Sequence, residues 1–291
     1  MKFTNKYNLP EPFVNAVVRS SFKPRFDSIS VTELYSPPIM KALKIVHWDE
    51  IVADVSEYVW SLFGQGIHAV LQKNIPANVL SEEKMSFVVN GVRIVGKPDI
   101  YYDSILEDYK VASTFTLVLD EKKDWETQLN IYAWMYRQMG FPVTKLRNQI
   151  VLRDWVRSKS FSDPEYPKIP WATMDQRVWS NEAVLAYITK RVELYRYNNM
   201  AKCNDTDKWA RPASYAVMRE GLKRALRVLS TEEEAAVWMA EAKADIKHKK
   251  ANLSIVYRPG EFVRCKDYCQ VRQFCPDNPY RNQEVIDESA A

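Results

Sequence analysis

The sequence predicts an α/β fold, a mixed central β-sheet flanked by helices, followed by a helical C-terminal region stapled by cysteines. Three observations carry that prediction. The segments from Ser30 to Trp155 alternate as helix, hairpin strands, helix and strand, the order of an α/β core with a mixed sheet. Asn90-Gly91 sits between two β-prone runs and Asp103-Ser104 makes a second tight turn, so the β segment from Ser86 to Lys110 folds back on itself. Three of the four cysteines, Cys265, Cys269 and Cys275, crowd into one short tail segment.

Taken in order, residues 1–29 read as an irregular lead-in broken by Pro10, Pro12 and Pro24. Ser30 and Glu33 form a capping box that starts a helical region. That region is interrupted at Pro37-Pro38 and continues through Ile51 to about Gln72, with Gly64 and His68 four apart on one face. After the β segment, Asp124 reads as the N-cap of a helix from Trp125 to Met139, ended by Gly140 and Pro142. Gln128 and Tyr132 share one face of it, and Leu129, Ala133 and Tyr136 supply packing. A strand follows over Asn148 to Trp155, then a loop marked by Pro164, Pro167 and Pro170. The C-terminal region reads as mostly helical, with a second capping box at Thr231 to Glu234 and a cysteine-bearing tail over 261–280. The expected organisation is therefore N-terminal lead-in and helices over 1–60, a core over 61–200 and a C-terminal region over 201–291.

Composition excludes several classes. Apolar residues make up 46% of the 291 positions, enough for a real core, and the 27% charged fraction is ordinary for a globular protein. A net charge of +4 means that any basic surface is local. No apolar run approaches the roughly 18 residues of a membrane span, so no membrane partner is expected. The N-terminus lacks a signal-peptide apolar core, which sets the expectation of a cytoplasmic protein. None of the seven glycines forms a nucleotide-binding fingerprint or Walker loop.

The chemistry concentrates on the second hairpin. If Asp103-Ser104 is a two-residue turn, Tyr102 faces Ile105, and counting outward sets Asp99 opposite Asp108, with Lys110 two residues on and on the same face. Opposed carboxylates destabilise a strand pair unless a cation lies between them. Two carboxylates and a lysine so placed suit metal-assisted phosphodiester hydrolysis with Mg²⁺ or Mn²⁺. Asp103 and Glu107 read as turn and solvent-facing acids.

Pro98-Asp99 and Asp108-Tyr109-Lys110 resemble the signature of the PD-(D/E)XK nuclease superfamily, whose core is restriction-endonuclease-like. Gly64-Gln65-Gly66-Ile67-His68, Gly96-Lys97-Pro98-Asp99 and Gln128-Leu129-Asn130-Ile131-Tyr132 extend the resemblance to its RecB-type exonuclease branch, which includes recombination and CRISPR-adaptation nucleases. The motifs fall in order over residues 64–132. The resemblance implies that Asp99, Asp108 and Lys110 are catalytic and that His68, Asp99, Asp108 and the Val111 carbonyl bind the metal. It also implies that Gln128 and Tyr132 steady the site and touch the DNA backbone.

Clustered cysteines in a reducing compartment are more often metal ligands than disulfides, and Cys203 is the only cysteine left to complete a set with Cys265, Cys269 and Cys275. Spacing admits zinc or a [4Fe–4S] cluster. Several RecB-type nucleases carry an iron–sulfur staple whose last three cysteines cluster similarly, so the resemblance favours [4Fe–4S] over Zn²⁺. Here, however, the lone cysteine follows the nuclease motifs instead of preceding them. The basic segment Lys243 to Lys250, with Arg258, Arg264, Lys266 and Arg272 and the aromatics Trp238, Tyr257 and Tyr268, offers a path for DNA. The resulting expectation is a DNA exonuclease of recombination, repair or phage DNA processing, in the host cytoplasm if phage-encoded. With no helicase motif of its own, it would work beside a helicase or recombination protein. A structure-specific endonuclease and a nucleic-acid-binding subunit with an idle site are the alternatives.

Overall fold

One tight turn and a parallel return build the sheet that carries Asp108-Tyr109-Lys110, and a second tight turn builds a smaller sheet beside it in the chain. The computed structural model describes residues 1–76, 79–118, 122–196, 202–244 and 251–281 and divides into two units, Met1–Ala201 and Lys202–Ala291. The first unit opens with β1 (Lys2–Thr4), α1 (Glu11–Ser20), β2 (Ser28–Ser30), α2 (Val31–Leu34) and α3 (Pro38–Val46). Strand β3 (Val52–Asp54) then pairs in parallel with β1, and α4 (Val59–Gln72) follows.

Two expectations are corrected here. The stretch 1–29 is not irregular throughout, because two of its prolines begin a helix: Pro10 stands at the N-cap of α1 and Pro12 lies in its first turn, where a missing N–H costs nothing, while Pro24 stays in the irregular link to β2. The helix expected to run past Ile51 is broken by β3, whose partner β1 lies some fifty residues earlier and leaves no local trace. Asp54 restarts the chain by accepting from the Ser56 amide, which leads into a 3₁₀ turn over Val55–Tyr58. The capping box at Ser30 and Glu33 forms as expected.

Next come β4 (Leu80–Ser81), β5 (Met85–Val89), β6 (Val92–Gly96), β7 (Ile100–Tyr102) and β8 (Ile105–Ala112). Asn90 and Gly91 have φ of 48° and 75°, and Asp103 and Ser104 have 45° and 64°, the left-handed pairs that a type I′ hairpin turn needs. The registers Val89 opposite Val92 and Tyr102 opposite Ile105 follow. After α5 (Lys123–Gln138), β9 (Lys145–Leu152) returns parallel to β8, followed by α6 (Arg157–Ser162), β10 (Trp171–Gln176) and α7 (Asn181–Arg196). The main sheet has the order β10-β9-β8-β7-β4 and a second sheet the order β2-β6-β5, both mixed. Leu129 and Ile131 to Tyr136 of α5 bury against Ile94, Leu106 and Leu146 of the sheets and Val184, Ile188 and Val192 of α7.

Two boundaries move. Helix α5 begins at Lys123, so Asp124 is not its cap but lies in the first turn, where its carboxylate faces the positive end of the helix. Strand β9 runs from Lys145 to Leu152 and not from Asn148 to Trp155. The end of β8 stops it: the Arg153 amide donates to the Ala112 carbonyl and Asp154 accepts from the Thr114 amide.

The second unit holds α8 (Asp205–Lys208), β11 (Ala210–Arg211), β12 (Ser214–Arg219), β13 (Arg227–Leu229), α9 (Glu232–Ala244), β14 (Leu253–Arg258) and β15 (Glu261–Phe262). It is not mostly helical. Tyr215 and Val217, like Leu253 and Ile255, recur with a period of two, and these strands form an antiparallel sheet, β13-β12-β14, with α9 on one face. The Thr231–Glu234 box starts α9 as expected. Among the described residues no helix is long and apolar enough to cross a membrane.

Candidate active site

Strand β8 presents alternate side chains to opposite faces, so Leu106, Asp108 and Lys110 share one face and Glu107 and Tyr109 the other. The I′ turn at Asp103-Ser104 sets Ile100 opposite Glu107, where the ladder ends, and Asp99 follows one residue beyond it. Asp99 Oδ2 accepts from the Tyr109 amide at 2.7 Å, which ties the motif aspartate to β8. Asp108 Oδ2 receives the Lys110 ammonium at 2.5 Å and Asn148 Nδ2 at 3.2 Å. Lys110 Nζ also donates to Gln128 Oε1 at 2.8 Å.

Helix α4 supplies His68 from the other side. Its Nδ1 lies 3.2 Å from Asp99 Oδ1 and its Nε2 3.0 Å from the Tyr109 carbonyl. The Asp99 contact raises the His68 pKa against the opposing effect of burial. Burial pushes the Asp108 carboxyl up as well, although the Lys110 ammonium pulls it down. An open groove of about 580 Å³ runs past Trp60, His68, Lys97, Asp99, Lys110 and Val111. Asp108 is 3% exposed and reaches the groove only through Lys110.

Gln128 and Tyr132 are both buried and face inward from α5. Burial pushes the Tyr132 hydroxyl up to about 12, and it bonds to the Gln128 side chain and the Lys97 backbone. Their contacts therefore run to Lys110 and to the chain before Asp99, and neither lines the groove. Gly96 is part of the same packing, since a Cβ there would lie 2.7 Å from Tyr132 Cε1 and 3.1 Å from Met135 Sδ.

Among the described residues, no three His, Cys, Asp or Glu side chains are drawn into a metal-holding group as they stand. Both nitrogens of His68 face acceptors, so a metal at this ring must displace either the Asp99 contact or the Tyr109 carbonyl. The donor chemistry still fits Mg²⁺ or Mn²⁺: Asp108 has one oxygen committed to protein donors, Asp99 has Oδ2 on the Tyr109 amide and Oδ1 on His68, and carboxylate oxygens, an imidazole and the Val111 carbonyl are the types such ions take.

Cys203, Cys265, Cys269 and Cys275 all belong to the second unit and are free thiols. Burial, and then the neighbouring Asp207 and the other three cysteines, push the Cys203 thiol up to about 12. Burial likewise raises Cys265 and Cys269. Four thiols are soft donors of the type a thiophilic metal centre takes, although they are not drawn into a metal-holding group as they stand.

Several residues around the site have no motif to announce them. Asn148 is fully buried on β9 and bridges Asp108 to Gln176. Glu107 is not solvent-facing but buried, accepting from Arg147, Gln149 and Tyr102 on the far face of the sheet. Its partners come from the β8–β9 pairing and from within the hairpin, and the first of these registers is not encoded locally. Exposed Trp60 on the groove wall carries the Arg153 guanidinium 4.3 Å above its ring. Of the expected DNA path, Lys247 to Lys250 lie outside the described residues. Trp238 packs against the core beneath the second unit's sheet, while Tyr257 and Tyr268 are exposed.

No protein-family model matches the chain, and no curated protein does. Among solved structures, the protein SSO0001 aligns over 63% of this chain and 85% of its own at 17% identity, with a TM-score of 0.43. A phage-related exonuclease from Haemophilus somnus 129PT aligns over 58% of this chain and 91% of its own at 13% identity, with a TM-score of 0.34. Likenesses of this strength carry no functional argument, so function rests on the site itself.

Proposed function

We propose that this chain is a metal-dependent deoxyribonuclease that hydrolyses phosphodiester bonds at DNA ends. The observation that carries the reading is the convergence of His68, Asp99 and Lys110 on one groove from α4, the β7 approach and β8, with Asp108 buried directly behind Lys110. His68, Asp99, Asp108 and the Val111 carbonyl would hold Mg²⁺ or Mn²⁺. When bound, such an ion lowers the pKa of a water and neutralises phosphate charge.

The chain's own residues do the rest. Asp108 and Gln128 fix Lys110 Nζ in one place, where its ammonium orients the attacking water and meets charge growing on the scissile phosphate. Tyr132 locks Gln128, and Asn148 fixes the angle of Asp108. In the second unit, Cys203, Cys265, Cys269 and Cys275 would hold a [4Fe–4S] cluster, or Zn²⁺, as a structural staple. Recombination, repair or phage DNA processing in the cytoplasm, beside a helicase or recombination protein, is the setting this reading implies.

The test is cleavage of end-labelled linear and circular DNA with Mg²⁺ or Mn²⁺, using protein purified without oxygen beside Lys110→Ala and Asp108→Ala. Linear DNA should be degraded and circular DNA spared, with each variant slower by on the order of 10²- to 10³-fold. Equal cleavage by wild type and variants removes the assigned site, and cleavage of the circle makes the enzyme an endonuclease. A visible absorption band distinguishes an iron–sulfur centre from zinc.

A further inference from the structure

The second unit carries a basic cradle that no part of the site uses and of which only Arg258 belongs to the DNA path expected from the sequence. Strand β12 turns at Gly221, φ 82°, into an exposed loop that delivers Lys223 and Arg224 before Arg227 begins β13. Arg258 ends β14. The register places Ala216, Val228 and Val256 side by side on the face of the sheet turned away from α9. Arg258 lies along that face, with Nη2 3.9 Å from Met218 Sδ. Lys223, Arg224, Arg227 and Arg258 thus surround a cavity of about 670 Å³ with Val228 in its wall.

None of the four cations has an ion pair among the described residues, whereas Lys202, Arg211 and Lys266 of the same unit pair with Asp277 or Glu261. Four like charges held together without an acid repel one another, and that cost is relieved by an anion. Four exceed the need of a single phosphate or carboxylate, and an open apolar floor between them suits an extended chain more than a compact ion.

We infer that this cradle binds the phosphate backbone of a nucleic-acid strand, as a contact separate from the catalytic groove. The inference takes its partner class from the proposed function, but its readout is binding, which cleavage does not enter.

The experiment measures the anisotropy of a fluorescein-labelled single-stranded oligonucleotide over a salt series, with the full chain carrying Lys110→Ala so that the probe stays intact. Adding Lys223→Ala, Arg224→Ala, Arg227→Ala and Arg258→Ala should make the salt slope shallower by about 0.7 for each cation. That corresponds to binding weaker by on the order of 100-fold at about 0.15 M salt. Unchanged affinity and slope overturn the inference. So does displacement of the probe by millimolar inorganic phosphate, which marks a single-anion site, or loss of binding only to phosphatidylserine vesicles. If the fourfold variant fails to fold, Lys223→Glu with Arg224→Glu on the exposed loop must weaken binding at least about tenfold, and full binding by that pair again overturns it. Wild type that cleaves DNA while the cradle variants bind normally sinks the cradle alone. Wild type that binds through the cradle and never cleaves sinks the nuclease reading alone.

Discussion

Gly96→Ala tests the packing that links the motif loop to Lys110. The new Cβ would stand 2.7 Å from Tyr132 Cε1, 3.0 Å from Val31 Cγ2 and 3.1 Å from Met135 Sδ. All three neighbours are buried, and Tyr132 is further held by Gln128 and the Lys97 backbone, so no flexible side-chain end can swing aside. Overpacking of this kind costs about 1–3 kcal/mol. At a urea slope of about 2–3 kcal/mol per M, the unfolding midpoint should fall by about 1 M. Displacing Tyr132 also displaces Gln128 and with it the Lys110 ammonium, so cleavage should fall by about tenfold or more. Gly66→Ala is the matched control: it lies exposed within α4 and its Cβ would meet nothing within 4 Å. Helix propensity then makes that variant more stable by about 0.5–1 kcal/mol. Urea unfolding followed by far-ultraviolet circular dichroism reads both. A Gly96→Ala protein as stable as wild type, or a Gly66→Ala protein less stable, refutes the packing argument.

Asn148→Ala removes a donor from buried Asp108 and the acceptor of Gln176; it should cost about 1–3 kcal/mol and slow cleavage about tenfold, read by thermal melting and single-turnover kinetics. Glu107→Ala leaves the partly buried Arg147 with only the exposed Asp175 and should cost about 3 kcal/mol in urea unfolding. Asp54 is pushed up by burial, but hydrogen bonds from Ser56, Lys6 and Thr4 outweigh this and hold its carboxyl well below the ordinary range. Its folded pKa being depressed, the stability it confers is present above the unfolded value near 3.8 and is lost as pH falls through the folded value. Asp54→Ala should therefore cost about 1 kcal/mol at pH 7 as a lost cap and show a shallower loss of stability below about pH 4, measured by urea midpoints across pH.

What was legible in the sequence follows from where each instruction is stored. The two I′ turns are local, so Asn90-Gly91 and Asp103-Ser104 fixed both hairpin registers and hence the meeting of Asp99 with the Asp108 to Lys110 strand. The four-residue spacing of Gly64 and His68 similarly fixed a helix face. The supporting residues were not legible, because Asn148 and Arg147 reach β8 through a parallel pairing that forms across α5. Glu107 illustrates the loss: in the hairpin alone it faces outward, and only β9 turns its face into an interior. The N-terminal strand pairing of β1 with β3 is hidden for the same reason. In the second unit the period of two at Tyr215–Val217 and Leu253–Ile255 was present, but short strands split by a helix give too few repeats to outweigh the helical signals around them.

The position of Asp108 and Lys110 along β8 follows a gradient of burial. Leu106 is fully buried, Asp108 is 3% exposed and the Lys110 side chain is 20% exposed, three successive residues on one face of one strand. The strand thus runs from core to groove, and its polar pair stands at the gradient between them. Two residues earlier, the lysine would lie at Asp108's depth, where an ammonium is costly and no phosphate reaches it. Two residues later, the carboxylate would lie in the open groove, where water weakens its hold on the ammonium several-fold. With Asp108 inside and Lys110 at the edge, the carboxylate acts at low effective dielectric while the ammonium still meets the groove. The buried network of Asn148, Gln128 and Tyr132 keeps that pair in one conformation, and Gly96 allows the network to close against the motif loop.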